Sequence, residues 1–288
     1  MATFTNQASL SYNNTVTTSN VTVGELLEVL SATKTAVVNT YGNADRVTYV
    51  ISIVNAGTTP LTGLTLTDDL GGYEFVPQGQ PAVLLYPLAY VADSALFYVN
   101  GALQPTPAVT PGPPLVIEGI NVPAQGNATL IYEASVTTFA PLEPGSTIVN
   151  TATLSASPAT QVTVSETVTV EAGPDLGISK SLSPLTVTEN GRITYTFTIQ
   201  NESGTATQPT DQVVLSDTFD PILSDLTVSF NSTPWTSPAQ YSYDPTTGLF
   251  TTVPGAITVA GATFEQNPVT GERITTPGVS VLTVSGTI

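Results

Sequence analysis

The sequence predicts an all-β protein made of two tandem immunoglobulin-like β-sandwich domains. Its 288 residues are poor in charged side chains, at 9%, and rich in residues that favour strands and turns, a composition typical of all-β folds. Residues 192–201 alternate apolar and polar side chains, which is the period of a strand with one buried face. Residues 30–68 match residues 176–217 in order and nearly in spacing, and a repeat of this length indicates two copies of one domain.

The N-terminal segment, residues 1–23, is predicted to form two strands that belong to no domain of their own. Residues 4–12 match residues 148–156, which close the first repeat, and Asn6 falls at the position of Asn150. The segment therefore has the sequence of the last strands of a domain, although no domain precedes it in the chain.

Domain 1 is expected to span residues 24–172 and domain 2 residues 173–288. Short turn signals rich in Gly, Pro and Asn separate the predicted strands in both domains. Residues 278–288 align without gaps on residues 126–136, but the strands that follow in the first repeat have no counterpart in the second. We therefore expect domain 2 to lack its last strands, and these are the strands found in the N-terminal segment.

This displacement predicts assembly by donor-strand exchange. A sandwich that lacks strands exposes an unpaired sheet edge and an apolar groove, and strand addition to such an edge is an established mode of recognition. Because donor and acceptor surfaces differ, the contact is heterologous and grows into an open fibre unless it closes into a ring. We predict a head-to-tail homopolymer, with the protein itself as partner, whose donor strands use Phe4, Ala8, Leu10, Val16, Val21 and Val23.

An alternative is that the N-terminal segment folds back onto domain 2 of its own chain. Strands of this length span roughly 30 Å, so folding back would require the two domains to lie side by side. The sequence favours exchange between chains and leaves self-closure open.

Three polar residues in each repeat fall on strand faces that are otherwise apolar. Strand parity places Lys34, Asp68 and Asn150 on the inner face of domain 1. Buried charges are unfavourable unless they are paired, so these residues are expected to interact. The matching positions of the second repeat are Lys180, Asp217 and, in the N-terminal segment, Asn6.

Two outcomes satisfy these residues, and the sequence leaves both open. One is a buried Lys–Asp ion pair with the asparagine as a hydrogen-bonding partner. The other is a spontaneous Lys–Asn isopeptide bond, in which burial produces a neutral lysine nucleophile and a protonated aspartic acid that polarises the asparagine carbonyl. In this second outcome Asp68 and Asp217 are the assisting acids. The bonds then join Lys34 to Asn150 within domain 1 and Lys180 to Asn6 of the next subunit.

The repeated positions resemble a known family of surface modules. The pattern comprises Lys34, Tyr49, Asn55, Asp68 and Asn150, repeated as Lys180, Tyr195, Asn201, Asp217 and Asn6. It is similar to the conserved-repeat surface domain called the domain of unknown function eleven family, and the resemblance covers nearly the whole chain. It implies a structural role on a bacterial surface. Short two-copy chains of this type resemble clostridial spore-appendage subunits, and the isopeptide bond resembles those of Gram-positive pilin sandwiches, although these commonly use glutamate as the acid.

The composition argues against several other functions. Five basic residues against 22 acidic ones give a net charge of −17, which argues against nucleic acid and anionic membranes as partners. With neither histidine nor cysteine, the chain has no conventional base for a serine nucleophile and no thiolate metal site. We therefore expect no enzymatic activity beyond an autocatalytic cross-link, and no cofactor or metal.

The expected localisation is extracellular or on the spore surface, where other surface or appendage proteins are further partners. The first residues lack the basic and apolar regions of a secretory signal, and no apolar run is long enough for a membrane helix. The alternative function is a monomeric surface adhesin or spacer stabilised by calcium, because four aspartates offer oxygen ligands close together in sequence: Asp211, Asp217, Asp220 and Asp225.

Overall fold

The computed structural model describes residues 2–26, 29–157 and 160–288. Within these residues every regular element is a β-strand, except for one short 3-10 turn at Pro209–Asp211. Two separate hydrophobic cores divide the chain into domain 1 and domain 2. The prediction of an all-β fold with tandem sandwiches is therefore confirmed. No helix in the described part of the chain is long and apolar enough to cross a membrane.

The N-terminal segment forms one long hairpin that stands apart from both domains. Its strands are β1 (Ala2–Asn6), β2 (Ser9–Tyr12), β3 (Thr15–Thr18) and β4 (Thr22–Leu26). β1 pairs with β4 and β2 with β3, and the four strands pair with no other strand. Its tip is Asn13–Asn14, with φ values of 42° and 60°, as a two-residue hairpin turn requires. The described hairpin is thus not folded back onto domain 2.

The two sides of this N-terminal hairpin, β1–β2 and β3–β4, present their apolar side chains on opposite faces. Residues directly opposite each other in an antiparallel pair share a face. Val23 lies opposite Thr5, and Val16 lies opposite Ser11, so both valines occupy the face that Asn6 does not. The Asn6 face also carries Ala8, Leu10 and Tyr12, and the valine face carries Val16, Val21 and Val23.

Domain 1 is a sandwich of two six-stranded sheets. Its strands are β5 (Leu30–Ala36), β6 (Thr40–Tyr41), β7 (Arg46–Asn55), β8 (Leu61–Asp68), β9 (Tyr73–Phe75), β10 (Val83–Leu85), β11 (Leu88–Tyr90), β12 (Leu96–Val99), β13 (Ala102–Gln104), β14 (Ala108–Thr110), β15 (Leu115–Val122), β16 (Gly126–Val136), β17 (Thr147–Ser157) and β18 (Thr160–Val170). One sheet has the order β13-β12-β16-β7-β5, with β11 also on β16, and the other β14-β15-β8-β17-β18-β6. β9 and β10 form a separate hairpin.

The core of domain 1 is closed by the β17–β18 hairpin. β7 alternates buried and partly exposed residues along its length, so one of its faces lies against the second sheet. From that sheet, β17 contributes Ile148, Ala152 and Leu154 to the core, and β18 contributes Val168, all of them buried. Removing this hairpin would therefore open one side of the core.

Domain 2 repeats five of the six strands in the first sheet of domain 1 but only three of the six in the second. Its strands are β19 (Leu176–Ser183), β20 (Arg192–Asn201), β21 (Ser216–Thr218), β22 (Ser224–Phe230), β23 (Thr233–Trp235), β24 (Tyr241–Tyr243), β25 (Leu249–Thr252), β26 (Thr263–Gln266), β27 (Arg273–Thr276) and β28 (Gly278–Thr287). The first sheet has the order β19-β20-β28-β22-β23, and the second has only β24-β25-β21. The order β24-β25-β21 corresponds to β14-β15-β8, so no described strand of domain 2 takes the place of β17 and β18. β26 and β27 form a separate hairpin.

Candidate functional site

Lys34 and Asp68 form a buried ion pair between the two sheets of domain 1. Lys34 lies in the middle of β5, and Asp68 ends β8 directly opposite Ala152 of β17. The lysine Nζ is 2.5 Å from Asp68 Oδ2, and both side chains are 0% exposed. The prediction that these two side chains point into the core is confirmed.

Asp68 accepts hydrogen bonds from three donors. Its Oδ2 accepts from Lys34 and from the Tyr132 hydroxyl, and its Oδ1 accepts from the Leu70 backbone N–H at 2.9 Å. The Lys34 ammonium also lies 4.6 Å from the centre of the Tyr49 ring, within the range of a cation–π contact. The aspartate is therefore held in one position by two side chains of the facing sheet and by the turn that follows β8.

Asn150 lies in the same interior without a hydrogen-bond partner. It is two residues from Ala152 on the inner face of β17, and it is fully buried. Neither its Nδ2 nor its Oδ1 has a partner, and the buried Tyr49 hydroxyl has none either. A buried polar group without a partner costs about 1–3 kcal/mol, and folded proteins rarely contain one. The Asn150 amide is therefore buried beside the Tyr49 and Tyr132 hydroxyls without a formed hydrogen bond.

Burial changes the acid–base chemistry of this interior. Desolvation lowers the pKa of Lys34, and the negative charge of Asp68 acts in the opposite direction. Burial also raises the pKa of Tyr49 and of Tyr132, and for Tyr132 the charge of Asp68 adds to the rise. The Asn150 amide lies beside both hydroxyls and offsets part of this rise in pKa for each. The lysine is shifted toward its neutral, nucleophilic form.

The buried tyrosines predict that domain 1 loses stability above pH 10. Tyrosines of the unfolded chain lose their protons near pH 10, whereas Tyr49 and Tyr132 keep theirs while folded because their pKa values are raised. The unfolded state then binds fewer protons, so the free energy of unfolding falls as pH rises, by about 1.4 kcal/mol per pH unit for each tyrosine. Urea unfolding between pH 10.5 and 11.5 measures this slope. Tyr49→Phe should reduce this slope by about 1.4 kcal/mol per pH unit, the contribution of one tyrosine. An unchanged slope in this variant would contradict the raised pKa of Tyr49.

The matching site in domain 2 is open to solvent. Lys180 forms an ion pair with Asp217, but their side chains are 41% and 20% exposed. Lys180 Nζ lies 4.5 Å from the Tyr195 ring, as Lys34 does from Tyr49. The partner of Tyr195 across the sheet is Val284, where domain 1 has Tyr132 opposite Tyr49. Asp217 therefore lacks the hydroxyl donor that Tyr132 provides to Asp68.

An apolar groove runs beside this open site, and we call it the acceptor groove. Its walls are Leu176, Ile178, Ile199, Val213, Leu215 and Ile257. Ile178 is 62% exposed and Leu176 is 37% exposed, whereas Leu30, which corresponds to Leu176 in domain 1, is 5% exposed. On one side β21 pairs with β25, and the edge that corresponds to the β17 side of β8 is unpaired among the described strands. The groove therefore lies beside the strand edge that β17 occupies in domain 1.

The predicted donor residues lie in the N-terminal hairpin, away from this groove. Asn6, Ala8, Leu10, Val16, Val21 and Val23 are all exposed. The backbone of Phe4 lies in β1, and its side chain lies outside what is described. The structure thus brings Lys34, Asp68 and Asn150 together but leaves Asn6 apart from Lys180 and Asp217 within one chain.

Sequence reasoning missed two features of the site. The Tyr132 hydroxyl bonds to Asp68, and the sequence signal for it was a tyrosine at an inward position of β16, since a buried tyrosine usually finds a partner for its hydroxyl. The opposite faces of the N-terminal hairpin depend on one extra residue in its second strand, between Thr18 and Thr22. The proposed calcium ligands form no cluster of three acidic side chains within the described residues.

Comparisons with known sequences identify no family. No protein-family model matches the chain, so the resemblance to the domain of unknown function eleven family has no support from that comparison. No curated protein matches it.

Solved structures similar to this chain include two pilus subunits and a cohesin dyad. One is the pilus backbone RrgB of Streptococcus pneumoniae, at 9% identity and a TM-score of 0.34; the match covers 86% of this chain and 55% of that one, so the chain spans about half of its length. Another is BcpA, the major pilin subunit of Bacillus cereus, at 12% identity over 72% of this chain and 69% of that one, with a TM-score of 0.35. A third is the type II cohesin dyad of the ScaA scaffoldin of Acetivibrio cellulolyticus, at 12% identity over 88% and 84%, with a TM-score of 0.26.

Proposed function

We propose that this protein is a structural subunit of an extracellular or spore-surface filament that grows head to tail by donor-strand exchange. One observation carries the proposal: domain 2 has an open groove where β17 lies in domain 1, and the N-terminal hairpin, which repeats the β17 sequence, pairs with neither domain. An exposed sheet edge beside an apolar groove is a template for an added strand. The hairpin of the next copy is the occupant that fits it.

The register of domain 1 predicts how the donor strand lies in the groove. In domain 1, Ala152 of β17 lies opposite Asp68 of β8. The same register places Ala8 of the donor opposite Asp217 and Asn6 at the position that Asn150 has in domain 1. Asn6 is then the residue that reaches the Lys180 site.

Apolar burial favours this docking. Leu10 is 63% exposed in the N-terminal hairpin, and Ile178 is exposed to a similar extent in the acceptor groove. Burying a large apolar side chain contributes roughly 1.5 to 3 kcal/mol, and the new backbone ladder adds about 0.5–1.5 kcal/mol per hydrogen bond. Donor and acceptor are different surfaces, so each docked subunit leaves one of each free and the chain of subunits continues.

We propose further that both sites become covalent. In domain 1 the pKa of Lys34 is lowered, and the amide of Asn150 lies buried without a partner. A cross-link gives that amide a function, since its Nδ2 leaves and the lysine nitrogen takes its place. In domain 2 the Lys180 ammonium is exposed, so the same reaction waits until the donor hairpin covers it and brings Asn6.

The reaction is a transfer of the asparagine acyl group from ammonia to lysine. The Lys34 ammonium gives a proton to Asp68, and the neutral Nζ attacks Cγ of Asn150 while the protonated acid donates a hydrogen bond to Oδ1. A proton from the attacking nitrogen then passes through Asp68 to Nδ2, the C–N bond to Nδ2 breaks, and ammonia leaves. The product is a secondary amide, and no oxidant or co-reactant is needed.

Lysine labelling tests the proposal, because Lys34 and Lys180 are the only lysines in the chain. A variant without residues 2–23 keeps both cores, to which no described residue of the N-terminal hairpin contributes. We expect an amine-reactive reagent to modify Lys180 of this variant rapidly and to leave the buried Lys34 unmodified. Adding a synthetic peptide of residues 2–26 should then protect Lys180 by at least about tenfold.

The control is the same peptide with Leu10→Asp, which places a charge on the apolar face of the donor and should not protect Lys180. Protection by both peptides, or by neither, would contradict donor-strand exchange. In the second case the protein would act as a monomeric surface spacer.

A further inference from the structure

The two domains of one chain are joined by a pair of interlocking hairpins, which we call the clasp. One is the β9–β10 hairpin of domain 1, and the other is the β26–β27 hairpin of domain 2. The backbone N–H of Gln78, between β9 and β10, donates to Pro268 O at 2.8 Å, and the N–H of Arg273 donates to Thr138 O at 2.7 Å. Phe264 of β26 packs against the core of domain 1.

Charge and close packing strengthen this contact. Arg273 of domain 2 forms an ion pair with Glu143 of domain 1. Burial raises the pKa of Tyr73 in domain 1, and the charge of Arg273 acts against that rise. Gly271, at the tip of β26–β27, has φ +76°, and a Cβ there would lie 2.3 Å from Leu85 Cδ1 and 3.0 Å from Phe75 Cδ1. A larger residue would force the Leu85 and Phe75 side chains to shift, and the positive φ favours glycine.

Each half of the clasp is an insertion that the other domain lacks. Between β15 and β16, domain 1 has a three-residue turn from Val122 to Gly126, where domain 2 carries β26–β27. Between β21 and β22, domain 2 has a short loop from Thr218 to Ser224, where domain 1 carries β9–β10 and β11. The β21–β22 end of domain 2 therefore has no hairpin like β9–β10. The β15–β16 end of domain 1 likewise has no hairpin like β26–β27.

We infer that the filament has two kinds of joint in alternation: a stiff joint within each subunit, held by the clasp, and a hinge between subunits, held by the donor hairpin alone. This inference rests on the proposed function. Docking the donor hairpin brings the β21–β22 end of domain 2 next to the β15–β16 end of domain 1 in the next copy. These are the two ends that lack the insertions. Domain pairs without a large interface move relative to one another, so bending concentrates at every second joint.

Spin-label distances test the inference, and the chain has no cysteine of its own to interfere. Cysteines replace Thr167 in domain 1 and Ser242 in domain 2, both exposed. Doubly labelled subunits, diluted into unlabelled ones, report the joint within a subunit. Mixing subunits that carry one label each reports the joint between subunits. We expect the distance distribution between subunits to be at least about twofold broader, and equal widths would overturn the inference.

A second arm needs no filament. In the variant without residues 2–23, which forms no filament, Gly271→Ala should broaden the distance distribution between the two labels at least about twofold, because the clasp no longer closes. Gly101→Ala is the matched control, since Gly101 has φ +80° and no atom within 4 Å of an added Cβ. If Gly271→Ala leaves the width unchanged, the clasp does not stiffen the joint. A third outcome is that Gly271→Ala broadens the distance distribution within one subunit, but no distance is measured between singly labelled subunits. In that case the subunits do not assemble, and both the proposed function and the hinge between subunits are wrong.

Discussion

A chain that lacks residues 2–23 is expected to form no filaments and to stop the growth of filaments made by the full-length protein. The variant keeps the acceptor groove, so it captures the donor hairpin of a full-length subunit, but it offers no hairpin to the next groove. Each capture therefore ends a filament. Equimolar mixing should shorten the mean filament to about two subunits, because each addition is then terminal half of the time. Negative-stain microscopy of mixtures at several ratios measures this length.

Point variants on the two faces of the hairpin sharpen the same experiment. Leu10 lies on the Asn6 face, which the docking register turns toward the groove, and Val16 lies on the valine face. Leu10→Asp should abolish assembly because it buries an unpaired charge, whereas Val16→Asp should leave filament length unchanged. The reverse result would mean that the second strand rearranges on docking, and normal assembly by both variants would contradict donor exchange through this hairpin.

The second large effect is expected under denaturing conditions. If both sites react, boiled filaments should run as a ladder of covalent multimers, and each domain should have lost the mass of one ammonia. The energetic reason is that the reaction replaces two charges in a low-dielectric interior with one neutral amide. Intact mass spectrometry of dissolved filaments measures the loss.

Single substitutions separate the two bonds. Asn6→Ala should collapse the ladder to monomers and leave the loss of ammonia in domain 1 unchanged. Asn150→Ala should abolish the loss of ammonia in domain 1 and leave the ladder of multimers unchanged. Asp217→Ala should give the same result as Asn6→Ala if the acid assists the reaction. A monomer at the mass given by the sequence would contradict cross-linking in both domains and leave ion pairs in a non-covalent filament.

The fold was predictable because one domain repeats another. Period-2 alternation and the repeat of residues 30–68 at 176–217 specify strands with buried faces, and parity alone placed Lys34 and Asp68 inward. The direction in which a strand side chain points depends on its place in the alternation, so it can be predicted without knowledge of the tertiary contacts. The partial second sheet of domain 2 also followed from the repeat.

The clasp was not predictable in the same way. β9–β10 and β26–β27 are insertions without a counterpart in the other repeat, so aligning the two copies passes over both. Their contact joins residues far apart in sequence, such as Glu143 and Arg273, and no periodicity within either hairpin specifies the other as its partner. The faces on which the N-terminal hairpin presents its apolar side chains were also not predictable. A single extra residue in a strand reverses the face of every side chain beyond it.

The placement of the basic residues has a consequence for the cleavage of the chain by proteases. The chain has five lysines and arginines in all, and each lies within a strand: Lys34, Arg46, Lys180, Arg192 and Arg273. Proteolytic nicking concentrates in exposed loops, and none of the loops contains a lysine or an arginine. A trypsin-like protease therefore finds no cleavage site inside a loop, and we expect it to cut the folded protein more slowly than the unfolded chain.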